Sequence, residues 1–247
     1  MTGPSEFGVQ LWAVRDALAA DLPGTIARLA DIGFAYVEPF DLLADPAGLA
    51  KALADSGLKA MTAHAGVTGP DAPALYAAAT SLGISTLIVP WLEPDRFASR
   101  GAVRAVAADL DRGAEEAALH GIRLGYHNHW FELETILDGR PALEWLVDDL
   151  DGRVVLELDT YWAAVGGQDV PALLGRLGDR VRFLHLKDGP LDPPQPHVAL
   201  GRGVMPVRAI LEAAVSSELA IVELDSFDGD MFTALADSLA FVTGAPA

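Results

Sequence analysis

Asp159, His185 and Glu223 are the residues of this chain whose types best suit a shared task. One imidazole and two carboxylates form a mixed nitrogen–oxygen donor set. Such a set takes one divalent cation, Mn²⁺, Co²⁺, Zn²⁺ or Mg²⁺, without selecting sharply among them. Singly, each has an ordinary use: Asp159 as a helix cap, His185 as a satisfied core histidine, Glu223 as a partner for an arginine. Together, at the ends of three consecutive β-type runs, they read as a metal site, because buried charges cost several kcal/mol unless paired or metal-bound.

Other polar residues end the remaining β-type runs: Gln10 and Arg15 at the first, Glu38 at the second, His64 at the third, His127, Asn128 and His129 at the fifth. Glu157 precedes Asp159, Lys187 follows His185 and Asp225 follows Glu223, each by two positions and therefore on the same side of an extended chain. Lys187 and His129 are candidates for acid–base work, with a salt bridge as the alternative for Lys187. Glu38 and His64 read as contacts to substrate hydroxyls or to the ligands themselves, and Glu157 as a residue orienting Asp159 or Lys187. Trp12, Trp91, Trp130 and Trp162 fall at or just past strand ends, where aromatic faces pack against sugar C–H groups; Trp12, Trp130 and Trp162 are taken as substrate contacts. His120 reads as structural, and His197 is given no role.

The elements that must position these groups alternate from end to end. The β-type runs are Phe7–Leu11, Tyr36–Pro39, Lys59–His64, Thr86–Pro90, Arg123–Asn128, Val154–Asp159, Arg182–Leu186 and Ala220–Leu224. Between them lie Ala- and Leu-rich runs with helical periodicity, such as Pro23–Ile32, Ala47–Ser56, Ala72–Leu82 and Asp95–His120. Asp45-Pro46, Pro94-Asp95 and Asp169 ahead of Pro171 look like helix starts; Gly33, Gly57, Gly83, Gly121 and Gly178 look like helix ends. Strict alternation implies a parallel sheet covered by helices, and repetition to this extent implies closure into a (β/α)₈ TIM barrel spanning 1–247 as one domain. An open doubly wound sheet is the alternative. The stretch 188–203 is rich in Pro and Gly and reads as a long loop, either a lid or a passive excursion.

Composition narrows the functions open to the chain. Its 247 residues are close to the ~250 usual for such a barrel. There are 35 acidic against 17 basic residues, a net charge of −18, which repels a phosphate backbone and argues against nucleic-acid partners. With no cysteine, thiol catalysis and disulfides are excluded, consistent with a cytoplasmic location. No signal peptide and no apolar run of membrane-spanning length is seen. No P-loop or GxGxxG motif is present, and the strand-end loops offer only Arg15, Lys187 and Arg202 as cations, so an unphosphorylated substrate is expected.

The motifs FGVQLWAVRD (7–16), LPGTIARLADIGFAYVE (22–38), the His64 strand end, GYHNHWFEL (125–133), LELDTYW (156–162), RFLHLKD (182–188), LGRGV (200–204) and IVELD (221–225) run through nearly the whole chain. In this series they resemble the sugar phosphate isomerases/epimerases of the xylose isomerase-like barrels, inosose dehydratase-like members included. The resemblance implies one metal held by residues of strands five to eight, a small sugar or polyol substrate, and often dimers or tetramers. The family's fifth-strand ligand is a glutamate; here that position reads His127, so either His127 or Glu132 completes the set. The resemblance further implies a carbohydrate-metabolism enzyme moving a proton through an enediolate, with Glu223, His127, His129 and Lys187 as the acid–base groups. A lyase of the inosose-dehydratase type is the alternative. An abasic-site endonuclease, which would need a basic groove, and a non-catalytic sugar-binding barrel fit less well.

Overall fold

All eight β-type runs form strands of one parallel sheet in the computed structural model, which describes residues 4, 6–67, 69 and 71–244. They are β1 (Phe7–Gln10), β2 (Tyr36–Glu38), β3 (Lys59–Ala60) with β4 (Thr62–His64), β5 (Thr86–Val89) and β6 (Arg123–His127). After a short hairpin, β7 (Ile136–Leu137) and β8 (Arg140–Pro141), come β9 (Val155–Asp159), β10 (Val181–Leu186) and β11 (Leu219–Val222). The third run is thus split at Met61, which interrupts its pairing. Sheet order is β3-β2-β1-β11-β10-β9-β6-β5-β4. The two ends of that order are neighbours in the chain, and the amide of His64 donates to the carbonyl of Pro39 at 2.8 Å, so the sheet curls into a nearly closed barrel.

Helices surround it as the caps foretell. Asp21, Asp45 and Asp169 accept from Gly24, Gly48 and Ala172 amides and start Leu22–Ile32, Pro46–Ser56 and Val170–Leu177. Gly33, Gly57 and Gly83 end their helices in the left-handed region that favours glycine. One helical run is shorter than its periodicity suggests. Pro94–Phe97 is a separate 3-10 turn, and the long helix is Arg100–Ala118, started by Ser99 rather than by Pro94-Asp95.

Alternation along the strands sends one set of side chains outward to the helices and the other into the barrel. Tyr36, Ile88, Val155, Phe183, Leu219 and Ile221 fill the lower interior as an apolar plug. Gly125 makes room for it, since a Cβ there would stand 2.4 Å from Ile88 Cδ1. Glu38, Glu157, His185 and Glu223 sit above the plug, each two residues beyond one of its members, Tyr36, Val155, Phe183 and Ile221.

Candidate metal centre and active site

The polar interior has two layers. The lower one holds Glu38, His64, His127, Glu157 and His185, directly above the plug, and all but His64 are almost fully buried. Glu157 Oε2 lies 2.7 Å from His64 Nε2, 3.0 Å from His127 Nδ1 and 3.1 Å from His185 Nε2. Glu38 Oε2 lies 2.6 Å from His185 Nε2 and accepts from the Gln10 amide at 2.8 Å. The upper layer is Asp159, Lys187 and Glu223. His185 Nδ1 is 2.8 Å from Glu223 Oε2, and His127 Nε2 is 3.7 Å from Asp159 Oδ2. Both imidazoles therefore stand between two carboxylate layers, with one nitrogen facing each. A carboxylate behind a histidine fixes its tautomer and ring orientation and makes the other nitrogen a better ligand.

Two clusters have the geometry of a metal site. Ligand atoms of Asp159, His185 and Glu223 lie within 4.8 Å of one another, as do those of His64, His127, Glu157 and His185. Each cluster holds a buried carboxylate oxygen that accepts no hydrogen bond, Glu157 Oε1 in the lower and Asp159 Oδ2 in the upper. Asp159 Oδ1 caps the helix Thr160–Val165 by accepting from Trp162, while the buried Oδ2 has no partner other than an ammonium. Lys187 Nζ stands 3.1 Å from that oxygen and 2.9 Å from Glu223 Oε2. Asn128 holds Asp159 in place, accepting from its amide at 3.0 Å and donating to its carbonyl at 3.3 Å.

Electrostatics follow from this nesting. Burial would raise the Glu223 carboxyl, but Lys187 and His185 outweigh it and hold it well below the usual carboxylate range. Burial works against a charge on His185, but Glu157, Glu223 and Glu38 push its pKa well above that of a free imidazole. Glu38 is drawn to about 2 by His64 and His185 against its desolvation, whereas burial and the Glu38 charge raise Glu157 to about 7. Burial, with the neighbouring His185, His64, His129 and Lys187, pushes His127 well below the range of a free imidazole. His129 is lowered to about 3 by burial and by Lys187.

Other expected residues fall elsewhere. Glu132 is turned away from both clusters: one oxygen accepts from Tyr126 Oη at 2.6 Å and the other from the His129 amide at 3.0 Å. Glu38 is fully buried beneath His185 and does not line the cavity above the site. That cavity, about 630 Å³, is lined by Trp12, His64, His127, His129, Lys187 and Glu223 among others. Trp130 and Trp162 are not among its lining residues; their rings pack on each other with centroids 5.0 Å apart, and Trp162 lies 5.7 Å from Lys187 Nζ.

The 188–203 stretch adds nothing to the cavity wall among the described residues. It is tied down instead. Asp188 is buried and accepts from the amides of Gly189, Gly201, Gly203 and Met205. His197, given no role from sequence, accepts from the Asp225 amide at 3.0 Å and so fastens the loop to the eighth strand end. Asp188, a candidate partner of Lys187 from sequence, binds backbone amides instead, and the role of Tyr126 in holding Glu132 has no sequence signal. The sequence signal for this anchor is the pair Gly201 and Gly203, whose amides reach Asp188.

A family model described as xylose isomerase-like TIM barrel matches residues 26–241, and the chain belongs to that family. A sugar phosphate isomerase/epimerase from Parabacteroides distasonis superposes with a TM-score of 0.81 at 24% identity, over 100% of this chain and 96% of its own. An IOLI protein with a bound zinc atom superposes at 0.68 with 14% identity, over 97% of each chain. In sequence, the inosose dehydratase of Geobacillus kaustophilus is 35% identical over 80 residues, 32% of this chain and 25% of that protein. This match therefore spans about a quarter of the relative's length.

Proposed function

We propose that this protein is a divalent-metal-dependent isomerase or epimerase acting on a small keto-sugar or polyol. The observation that carries the reading is the convergence of Asp159, His185 and Glu223 beside a cavity that Lys187, His127 and His129 also line. Asp159, His185 and Glu223 would hold one cation, with His127 Nε2 as the fourth donor in preference to Glu132, whose oxygens are already engaged. A divalent cation bound there supplies Lewis acidity toward a substrate carbonyl.

The chain's own groups do the rest. Glu223, kept ionised by Lys187 and His185, takes the proton from the carbon next to the carbonyl. The Lys187 ammonium donates to the oxygen that gains charge as the enediolate forms. Return of the proton to the neighbouring carbon isomerises the sugar. Delivery to the original carbon from a second group epimerises it, and His129 lines the same cavity for that purpose. Lowered to about 3 by burial, His129 is a neutral base at rest and a strong acid once protonated, so it delivers a proton only after taking one from solvent.

A lyase on the same site is the second reading, favoured by the stretch shared with an inosose dehydratase. The same carbanion would then expel a β-hydroxyl. Purified protein should carry about one Mn, Co, Zn or Mg per chain and catalyse deuterium exchange next to the carbonyl of a keto-sugar in D₂O. Glu223→Gln should abolish exchange with the fold intact. An ultraviolet-absorbing enone product would select the lyase, and metal-free protein whose melting ignores EDTA and added metal would overturn both readings.

A further inference from the structure

The cavity above the site is two-sided, one side polar and the other largely apolar. His127, His129, Lys187, Glu223 and Asp225 line it from the fifth to eighth strands. From the first to fourth strands come Trp12, Phe40, Leu43, Leu75, Pro90 and Trp91. Sheet order places these two groups on opposite arcs of the barrel mouth. The volume, about 630 Å³, falls within the roughly 300–1,000 Å³ typical of pockets for drug-sized ligands, more than a lone monosaccharide needs.

The apolar arc is open to solvent. Trp12, Leu43 and Trp91 are 43%, 39% and 42% exposed, three of the large hydrophobic side chains that the described residues leave uncovered. Trp12 and Phe40 meet edge to face with centroids 5.2 Å apart, and Trp91 meets His129 the same way at 4.6 Å, so the apolar arc runs directly into the polar one. Contiguous exposed apolar surface at a cavity mouth marks a place where something binds. Its charge says what does not. Asp41 and Asp71 line the same side, His64 there is already paired with Glu157, and Lys187, the only Lys or Arg among the described lining residues, is already paired with Glu223 and Asp225. An anionic group is disfavoured there.

We propose that the substrate is a sugar bearing an uncharged apolar substituent, with the sugar at Glu223, Lys187 and His129 and the substituent against Trp12, Phe40, Leu43 and Trp91. The substituent is aromatic or alicyclic, since ring faces and branched aliphatic groups line that arc and Leu43, Leu75 and Pro90 offer no side-chain hydrogen bond. This rests on the sugar-directed reading of the site and adds the second half of the ligand.

Isothermal titration of Mn²⁺-loaded protein with methyl β-glucoside, phenyl β-glucoside and cellobiose tests it. Phenyl β-glucoside should bind at least tenfold more tightly than the methyl compound. Leu43→Asp, at an exposed position and checked by thermal melting, should erase that difference and leave methyl β-glucoside affinity within about twofold. Equal affinity for the methyl and phenyl compounds would overturn the apolar subsite and leave the sugar reading standing. Cellobiose binding more tightly than the phenyl compound would overturn it in favour of a second sugar ring. If D-fructose binds and none of the three does, the apolar subsite is overturned and the sugar reading stands; if D-fructose does not bind either, the two fall together.

Discussion

The ammonium of Lys187 stands 2.9 Å from Oε2 of Glu223, within the cluster whose atoms also fit a divalent cation. Asp159 and Asp225 complete its surroundings at 3.1 and 2.9 Å. Without metal, the lysine is what neutralises these carboxylates. Lys187→Met should lower the stability of metal-free protein by about 3–5 kcal/mol, the usual effect of stripping a buried charge of its partner. Bound metal answers the same charges, so Mn²⁺ should raise the melting temperature of the variant more than that of the parent. Calorimetric melts with and without Mn²⁺ check this, and equal shifts would show that lysine and cation do not serve the same carboxylates.

Glu157 lies 3.0 Å from His127 Nδ1 and 3.1 Å from His185 Nε2, behind the nitrogens that face Asp159 and Glu223. Glu157→Gln keeps the shape and removes the charge. Metal affinity should fall roughly 10–100-fold, as it does when the partner behind a liganding histidine is lost. Titration with a competing chelator measures the change, and unaltered affinity would remove Glu157 from any part in orienting the ligands.

Metal uptake should also release protons. Glu157, Glu223 and Glu38 hold His185 protonated against its desolvation, and a liganding imidazole must give that proton up. Affinity should therefore rise with pH. For folding alone the sign is reversed. A histidine whose pKa is raised in the folded state contributes stability below its unfolded pKa and loses it as pH rises through the folded value. Titration calorimetry in buffers of different ionisation enthalpy counts the protons; none released would contradict a protonated His185.

How much of this was legible in the sequence depends on strand parity. Asp159, His185 and Glu223 could be read because each ends a strand and consecutive strands are neighbours. Parity also puts Glu157 on the face of Asp159, but not its depth. That it lies a layer lower, behind His127, follows from the stagger of the closed barrel, which no single strand encodes. Glu132 shows the opposite limit. Its partner Tyr126 adjoins His127 and therefore points out of the barrel, so the carboxylate goes with it to the helix side of the wall. The phenol of Tyr126 makes the choice, and only the fold brings it to Glu132.

That outward position has its own test. Burial raises the Glu132 carboxyl to about 7. A carboxyl raised in the folded state keeps its proton there while the unfolded chain ionises, so stability is highest at low pH and declines as pH rises from the ordinary carboxylate range toward 7. Glu132→Gln should abolish that component, making the variant less pH-sensitive by a difference on the order of 2–4 kcal/mol across the window. Urea unfolding of both proteins at pH 5 and pH 7 measures it, and parallel pH dependence would show that Glu132 ionises normally.

Asp188 gathers four backbone amides from 189–205. Asparagine offers one acceptor oxygen and turns an N–H₂ toward the remaining donors. Asp188→Asn should cost about 2–4 kcal/mol and raise amide exchange at Gly201, Gly203 and Met205. Hydrogen exchange read by mass spectrometry resolves it, and unchanged protection would show that the loop is held by other contacts.

The same tether divides the loop into regions of unequal freedom to vary. Gly203 is boxed in, since a Cβ there would stand 2.2 Å from Asp188 Oδ1, and Asp188 follows Lys187 directly in the chain. Changes near 201–205 would thus be transmitted through one carboxylate to the residue at the centre of the site. Residues 191–195 are exposed and lie between the anchored positions Asp188 and His197. Length and sequence can drift there, by insertion or by graft, while the chemistry a few residues away keeps its geometry.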